Sequence, residues 1–164
     1  MESKAKLLGH SIHQMLIVFP LGLLATAVIF DVIHLLGGGP TMVAVAYWMM
    51  AAGIVGALVA APFGTIDWLA IPAGTRAKRI GALHGGGNLL VTLLFLGSWL
   101  LRPDDATAPS GLALTLSFAG AAVSLLTAWL GGELVARLGV GVYDDANVQA
   151  PSSLDAPRRS SSAA

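Results

Sequence analysis

The chain has no cysteine, so any ligand chemistry it performs must come from its four histidines and a few carboxylates. That absence rules out disulfides, thiolate metal sites, iron–sulfur ligation and cysteine nucleophiles. His10 and His13 stand three residues apart, and His84 stands four before Asn88. On a helix, either spacing puts two side chains on one face. Two neutral imidazoles from different helices could hold haem iron. Imidazoles joined by carboxylates such as Glu133 and Asp67 could instead hold Zn, Fe or Mn. No hydrolase or transferase constellation is visible: Ser11 lies near His10 and His13 but lacks a suitably placed acid, and no strand leads into a Gly-rich phosphate loop with lysine.

The elements that must position these residues follow from composition. Of 164 residues, 55% are hydrophobic and only 11% charged, and the mean hydropathy is +0.77. A soluble domain of this size carries about 25% charged residues, so the bilayer is the expected solvent. A net charge of zero gives no basic stripe for nucleic acid. Four apolar stretches, about 16–36, 42–63, 80–101 and 111–132, each reach the ~20 residues that a helix needs to cross a ~30 Å hydrocarbon core. They are apolar all round, as membrane spans are. The fold expected is all-α, a polytopic membrane protein built as an up-down bundle of four transmembrane helices over residues 1–142. Gly37 to Pro40 and the cluster Pro103, Asp104, Asp105 and Pro109 read as tight connections. Residues 143–164 are polar and rich in Pro and Ser, and are expected to be a disordered tail.

Lys and Arg set the orientation, because cytoplasmic segments hold their excess. Eight of the nine fall on the side shared by the N-terminus, the middle loop (Arg76, Lys78, Arg79) and the C-terminus, with Arg102 alone opposite. Both termini are therefore expected in the cytoplasm. A cleaved signal peptide is the competing reading of Lys4, Lys6 and the first apolar run, but cleavage would leave three spans and destroy the charge asymmetry. In this orientation His10, His13, Asp67, His84 and Glu133 all lie toward the cytoplasmic side. Only Asp31 and His34 lie in the outer half.

Each of these residues also has a plainer reading. A histidine near a span end is commonly an interfacial residue, Glu133 can pair with Arg137, and Asp31 can pair with His34. Trp48, Trp68, Trp99 and Trp129 fit an interfacial belt. Pro20 and Pro62 are expected to kink their helices, and Gly81 with Gly85 forms a small-residue packing motif.

Several segments together resemble a known family. His13-Gln14-Met15-Leu16-Ile17-Val18-Phe19-Pro20-Leu21-Gly22, then His84 with Asn88, then Trp129-Leu130-Gly131-Gly132-Glu133-Leu134 leading to Gly139-Val140-Gly141-Val142, are similar to DUF2231, bacterial predicted four-helix membrane proteins. The resemblance covers about residues 9–142 and implies a small bacterial inner-membrane protein, defining topology more than activity. It also implies an association with electron-transfer modules such as Rieske domains. The chain departs from the family pattern at Gln14, where relatives have Pro, at Val18, where they have a second His, and at Leu138, where a His is common. His13 and His84 are the pair carried over, with His10 available to compensate.

Three functions remain open on the sequence. The first is a membrane subunit or anchor for redox or transport partners, more a binding protein than an enzyme, which could also form homo-oligomers through small-residue faces at Gly53, Gly56, Gly81, Gly85 and Gly120. The second is a haem b electron carrier, with iron between His13 or His10 and His84. The third is a non-haem metal site using His10, His13, His84, Glu133 and Asp67.

Overall fold

Backbone chemistry sets where the helices begin and end. The structure is a computed structural model that describes residues 1–102 and 108–155. A two-stranded hairpin, β1 (Lys6–Leu7) and β2 (His10–Ser11), leads into a short helix α1 (Ile12–Leu16). Ile17 separates it from α2 (Val18–Leu35). Pro20 explains that break, because it has no N–H to return to the Leu16 carbonyl. Helix α2 ends in a Schellman cap: Gly37 takes φ +103°, its N–H bonds His34 O at 3.0 Å, and Gly38 N–H bonds Ile33 O at 2.9 Å. Pro40 then opens α3 (Pro40–Ala70), at a position where its missing donor costs nothing.

Helix α3 runs well past the apolar stretch read from sequence and is continuous through Pro62. Hydropathy marks the lipid-crossing part of a helix, whereas its end is set by Pro72, which holds Ile71 in an extended conformation (ψ 130°). Thr75 caps α4 (Arg76–Leu100) by accepting from Lys78 N–H at 3.1 Å, and Ser110 caps α5 (Gly111–Gly132) by accepting from Ala113 N–H at 3.2 Å. Helix α5 widens into a π-helical turn at Glu133–Arg137, closed by Gly139 at φ +63°. All four long segments are long and apolar enough to cross a membrane. The fold is an all-α four-helix membrane bundle.

Helix α2 packs along α3 and α4 along α5, and the two hairpins meet chiefly through α3 and α4. The core joins Leu24 and Ala27 of α2, Met50 and Ile54 of α3, and Val91 and Phe95 of α4. Glycines let the helices close up. A Cβ at Gly53 would lie 2.6 Å from Leu24, and one at Gly120 would lie 2.9 Å from Phe95. Large apolar side chains such as Leu21, Val55, Leu89 and Leu125 point outward, where lipid would surround them. Trp48 and Trp129 are exposed as a belt residue would be, but Trp99 packs against the core and stacks on Tyr47 with ring centroids 5.3 Å apart.

One charged interaction lies inside this bundle. Arg102, just past α4, donates from Nη1 and Nη2 to the two carboxylate oxygens of Asp31 on α2, both at 2.7 Å. Neither side chain is more than 1% exposed. Ser117 of α5 donates to Asp31 Oδ2 at 3.0 Å, and Ser98 of α4 accepts from Arg102 while donating to Ala113 O at 2.7 Å. Asp31 is therefore not paired with His34, which donates through Nδ1 to Gly38 O at 3.1 Å. A residue three positions along the same helix cannot supply the two-pronged donor that a guanidinium does.

The connection expected at Pro103, Asp104 and Asp105 lies outside the described residues, as does the tail beyond residue 155. Residues 143–155 form turns against the N-terminal hairpin: Tyr143 OH donates to Gly9 O at 2.7 Å, and Ser153 Oγ donates to Leu8 O at 3.0 Å.

Removing one partner of a buried ion pair leaves the other charge uncompensated, which costs about 3–5 kcal/mol. Arg102→Ala and Asp31→Ala are each expected to destabilise the bundle by that amount in SDS-titration unfolding of detergent-solubilised protein. The double variant Asp31→Leu/Arg102→Met is expected to be more stable than either single variant.

Candidate functional site

At the end of the bundle opposite Asp31 and Arg102, four segments bring polar groups together: the hairpin and α1, the end of α3, the start of α4 and the end of α5. His13 enters from α1 and packs on α3, where its Nδ1 is 3.0 Å from Ala60 O. A carbonyl only accepts, so Nδ1 carries the hydrogen and Nε2 is the ring's remaining lone pair. His84 does the same across the α4–α5 pair, with Nδ1 donating to Thr127 O at 2.9 Å. The Asn88 amide nitrogen stands 3.2 Å from His84 Nε2, and its oxygen accepts from Thr127 Oγ1 at 3.0 Å. The two rings lie with centroids 6.5 Å apart and planes at 88°.

Each ring lies on a glycine. A Cβ at Gly64 would come within 2.7 Å of His13 Cε1, and one at Gly131 within 3.0 Å of His84 Cε1. No other residue would let an imidazole lie that close to a neighbouring helix backbone.

The remaining candidates do not join this pair. His10 lies on β2, not on the helix that carries His13, because that helix starts only at Ile12. It is exposed, and Ser153 Oγ is 3.3 Å from its Nε2. Asp67, 8% exposed, accepts from Ser3 Oγ at 2.7 and 2.8 Å, from Lys4 N–H at 2.7 Å and from Ala5 N–H at 3.3 Å. Its carboxylate fastens the N-terminal segment to α3. Glu133 pairs with Arg76 at 2.7 Å and not with Arg137, because the π-helical turn changes the spacing that would align residues four apart. Among the described residues, no three of His, Asp and Glu converge as metal ligands, so the five-residue metal set expected from sequence is not assembled. Outside the spans, Glu2 accepts a hydrogen bond from Lys6 and thereby raises the Lys6 pKa above its ordinary value.

Sequence reasoning found His13, His84 and Asn88 but missed Gly64, Gly131 and Thr127. Gly131 lies in the Trp129–Leu134 motif, but nothing in the sequence ties it to an imidazole 47 residues earlier.

The family model described as "Predicted membrane protein (DUF2231)" matches residues 9–144. The chain belongs to the DUF2231 family. No curated protein and no solved structure matches it. In this DUF2231 protein the segments that carried the resemblance converge on the end of the bundle opposite Asp31 and Arg102: His13 with the turn into α2, His84 with Asn88, and Gly131 with the closing glycines. Gly139 and Gly141 both take positive φ, and a Cβ at Gly141 would lie 2.5 Å from the Gln14 amide nitrogen. Gln14, a departure from the family pattern, therefore lies against the closing turn.

Asp67→Ala is expected to release the Lys4 and Ala5 amides. Losing the acceptor for a buried donor costs about 1–3 kcal/mol, which corresponds to about 5- to 150-fold faster hydrogen exchange of those amides if local opening governs it. Amides of α4 near Val91 are expected to exchange at the wild-type rate.

Proposed function

We propose that this protein is a multi-pass subunit of the bacterial inner membrane, with both termini cytoplasmic, that anchors or packs against larger redox or transport partners. The observation carrying this reading is how the polar groups are arranged along the bundle. Asp31, Arg102, Ser98 and Ser117 bond to one another at one end, and His84, Asn88 and Thr127 bond to one another at the other. Between them lie Leu24, Met50, Ile54, Val91 and Phe95. A conducting or transporting protein needs polar groups along its pathway, and this apolar layer argues against one. Orientation rests on the Lys and Arg bias. Of the glycines expected to offer partner faces, Gly53, Gly56, Gly81 and Gly120 are used inside the bundle, against Leu24, Pro20, Trp68 and Phe95, and only Gly85 has open space beside it.

One observation favours a second reading, a haem b carrier with ligands on the cytoplasmic side. It is the approach of His13 and His84 from separate helices.

The cysteine-free chain suits single-cysteine labelling. Lys4→Cys and Arg79→Cys are expected to resist a membrane-impermeant maleimide in spheroplasts and to react after lysis, while Gly39→Cys, where a side chain meets open space, reacts in both. Crosslinking in native membranes is expected to shift the protein into larger species; recovery as monomer alone would count against the subunit reading.

A further inference from the structure

We infer that His13 and His84 are the two axial ligands of one haem, set against Gly64 and Gly131 and oriented by the carbonyls of Ala60 and Thr127. The inference rests on the second reading above.

Spacing is the first support. An imidazole nitrogen lies about 1.1 Å from its ring centroid and about 2.0 Å from a metal it ligates, so two rings on opposite sides of one metal have centroids about 6.2 Å apart. The observed separation is 6.5 Å.

Ring orientation is the second. Metal-ligating histidines almost always donate their other nitrogen to a carboxylate, carbonyl or water, which fixes the tautomer and leaves the remaining nitrogen as the ligand. Both histidines do this through Nδ1, to Ala60 O at 3.0 Å and to Thr127 O at 2.9 Å. Nε2 is the ligating atom on each. The Asn88 amide nitrogen lies 3.2 Å from His84 Nε2 and 3.4 Å from its Nδ1, so it does not lie along the Nε2 lone pair. Thr127 Oγ1 already holds that side chain by its oxygen.

Ligand count decides the class of cofactor. Zinc takes four ligands, and non-haem iron takes at least two histidines and a carboxylate. Among the described residues no third His, Asp or Glu joins this pair. Iron that brings four nitrogens of its own, in a porphyrin, needs only two neutral axial donors. Two neutral imidazoles also add no charge at membrane depth, which carboxylate ligands would.

The test is a reduced-minus-oxidised absorption spectrum of detergent-purified protein from native membranes, with haemin titration of the same preparation and copper and iron analysis. The wild type is expected to show sharp α and Soret bands and one haem per chain. His13→Gly and His84→Gly are each expected to lose the bands and to regain them with added imidazole, a rescue that a purely structural histidine would not show. His10→Ala is expected to keep them. Wild-type protein that holds no haem and takes up none overturns both the haem reading and this assignment, as does stoichiometric copper in place of iron. Haem that persists in folded His13→Gly or His84→Gly overturns the assignment alone and leaves the haem reading standing.

Discussion

The ion pair between Asp31 and Arg102 is the constraint on which the bundle's register depends. Helices in a bilayer gain little from hiding apolar surface, since lipid tails are as apolar as leucine. Packing, small residues and polar bonds must hold them together. Helices α2 and α5 touch sparingly, yet Asp31 on α2 bonds both Arg102 and Ser117. The contact thus ties α2, the end of α4 and the start of α5 at a single level. A two-pronged guanidinium–carboxylate pair tolerates little sliding or rotation. Breaking it would leave a bare charge in a low-dielectric interior.

Rigid helices carry that register to the other end. Ser98 and His84 are about 21 Å apart along α4, and Ser117 and Gly131 are the same distance apart along α5. Fixing Ser98 and Ser117 around Arg102 therefore also places His84 beside Gly131. Close approach at both levels uses one device, a glycine facing a side chain: Leu24 on Gly53 and Phe95 on Gly120 in the core, His13 on Gly64 and His84 on Gly131 at the end opposite Asp31. A helix shifted by one residue would put a side chain under Leu24, Phe95 and His13, since Gly53, Gly120 and Gly64 have no glycine beside them.

What could be read in the sequence was what depends on one segment at a time. Apolar length gave four helices, and Gly37 with Pro40 gave a helix end and the next start, because those signals are local. Counting Lys and Arg put His13 and His84 at one level, and the structure brings their rings within contact range. Partner choice was not legible. Asp31 was assigned to His34 and Glu133 to Arg137 because residues three or four apart are the pairs a sequence displays, whereas the actual partners are Arg102 and Arg76, 71 and 57 positions away. Asp67 read as a candidate ligand because nothing local shows that Ser3, Lys4 and Ala5 fold back onto it. His10 seemed to share a helix face with His13 because the hairpin before α1 is too short to leave a periodic pattern.

The two polar layers differ in what they leave available. At one level Asp31 receives two bonds from Arg102 and one from Ser117, and Ser98 bonds both Arg102 and a carbonyl. That layer is charged, and charge inside a membrane is tolerated only when it is closely paired. At the histidine level the groups are rings and amides. His13 engages one nitrogen with Ala60 O, and its Nε2 has no protein hydrogen bond among the described residues. A neutral acceptor costs far less to leave open at that depth than a charged one. The charged layer is thus closed by its own bonds and locks the helices together, whereas the histidine layer leaves a neutral imidazole nitrogen open, and in a chain without cysteine that is the group best suited to the proposed ligand role.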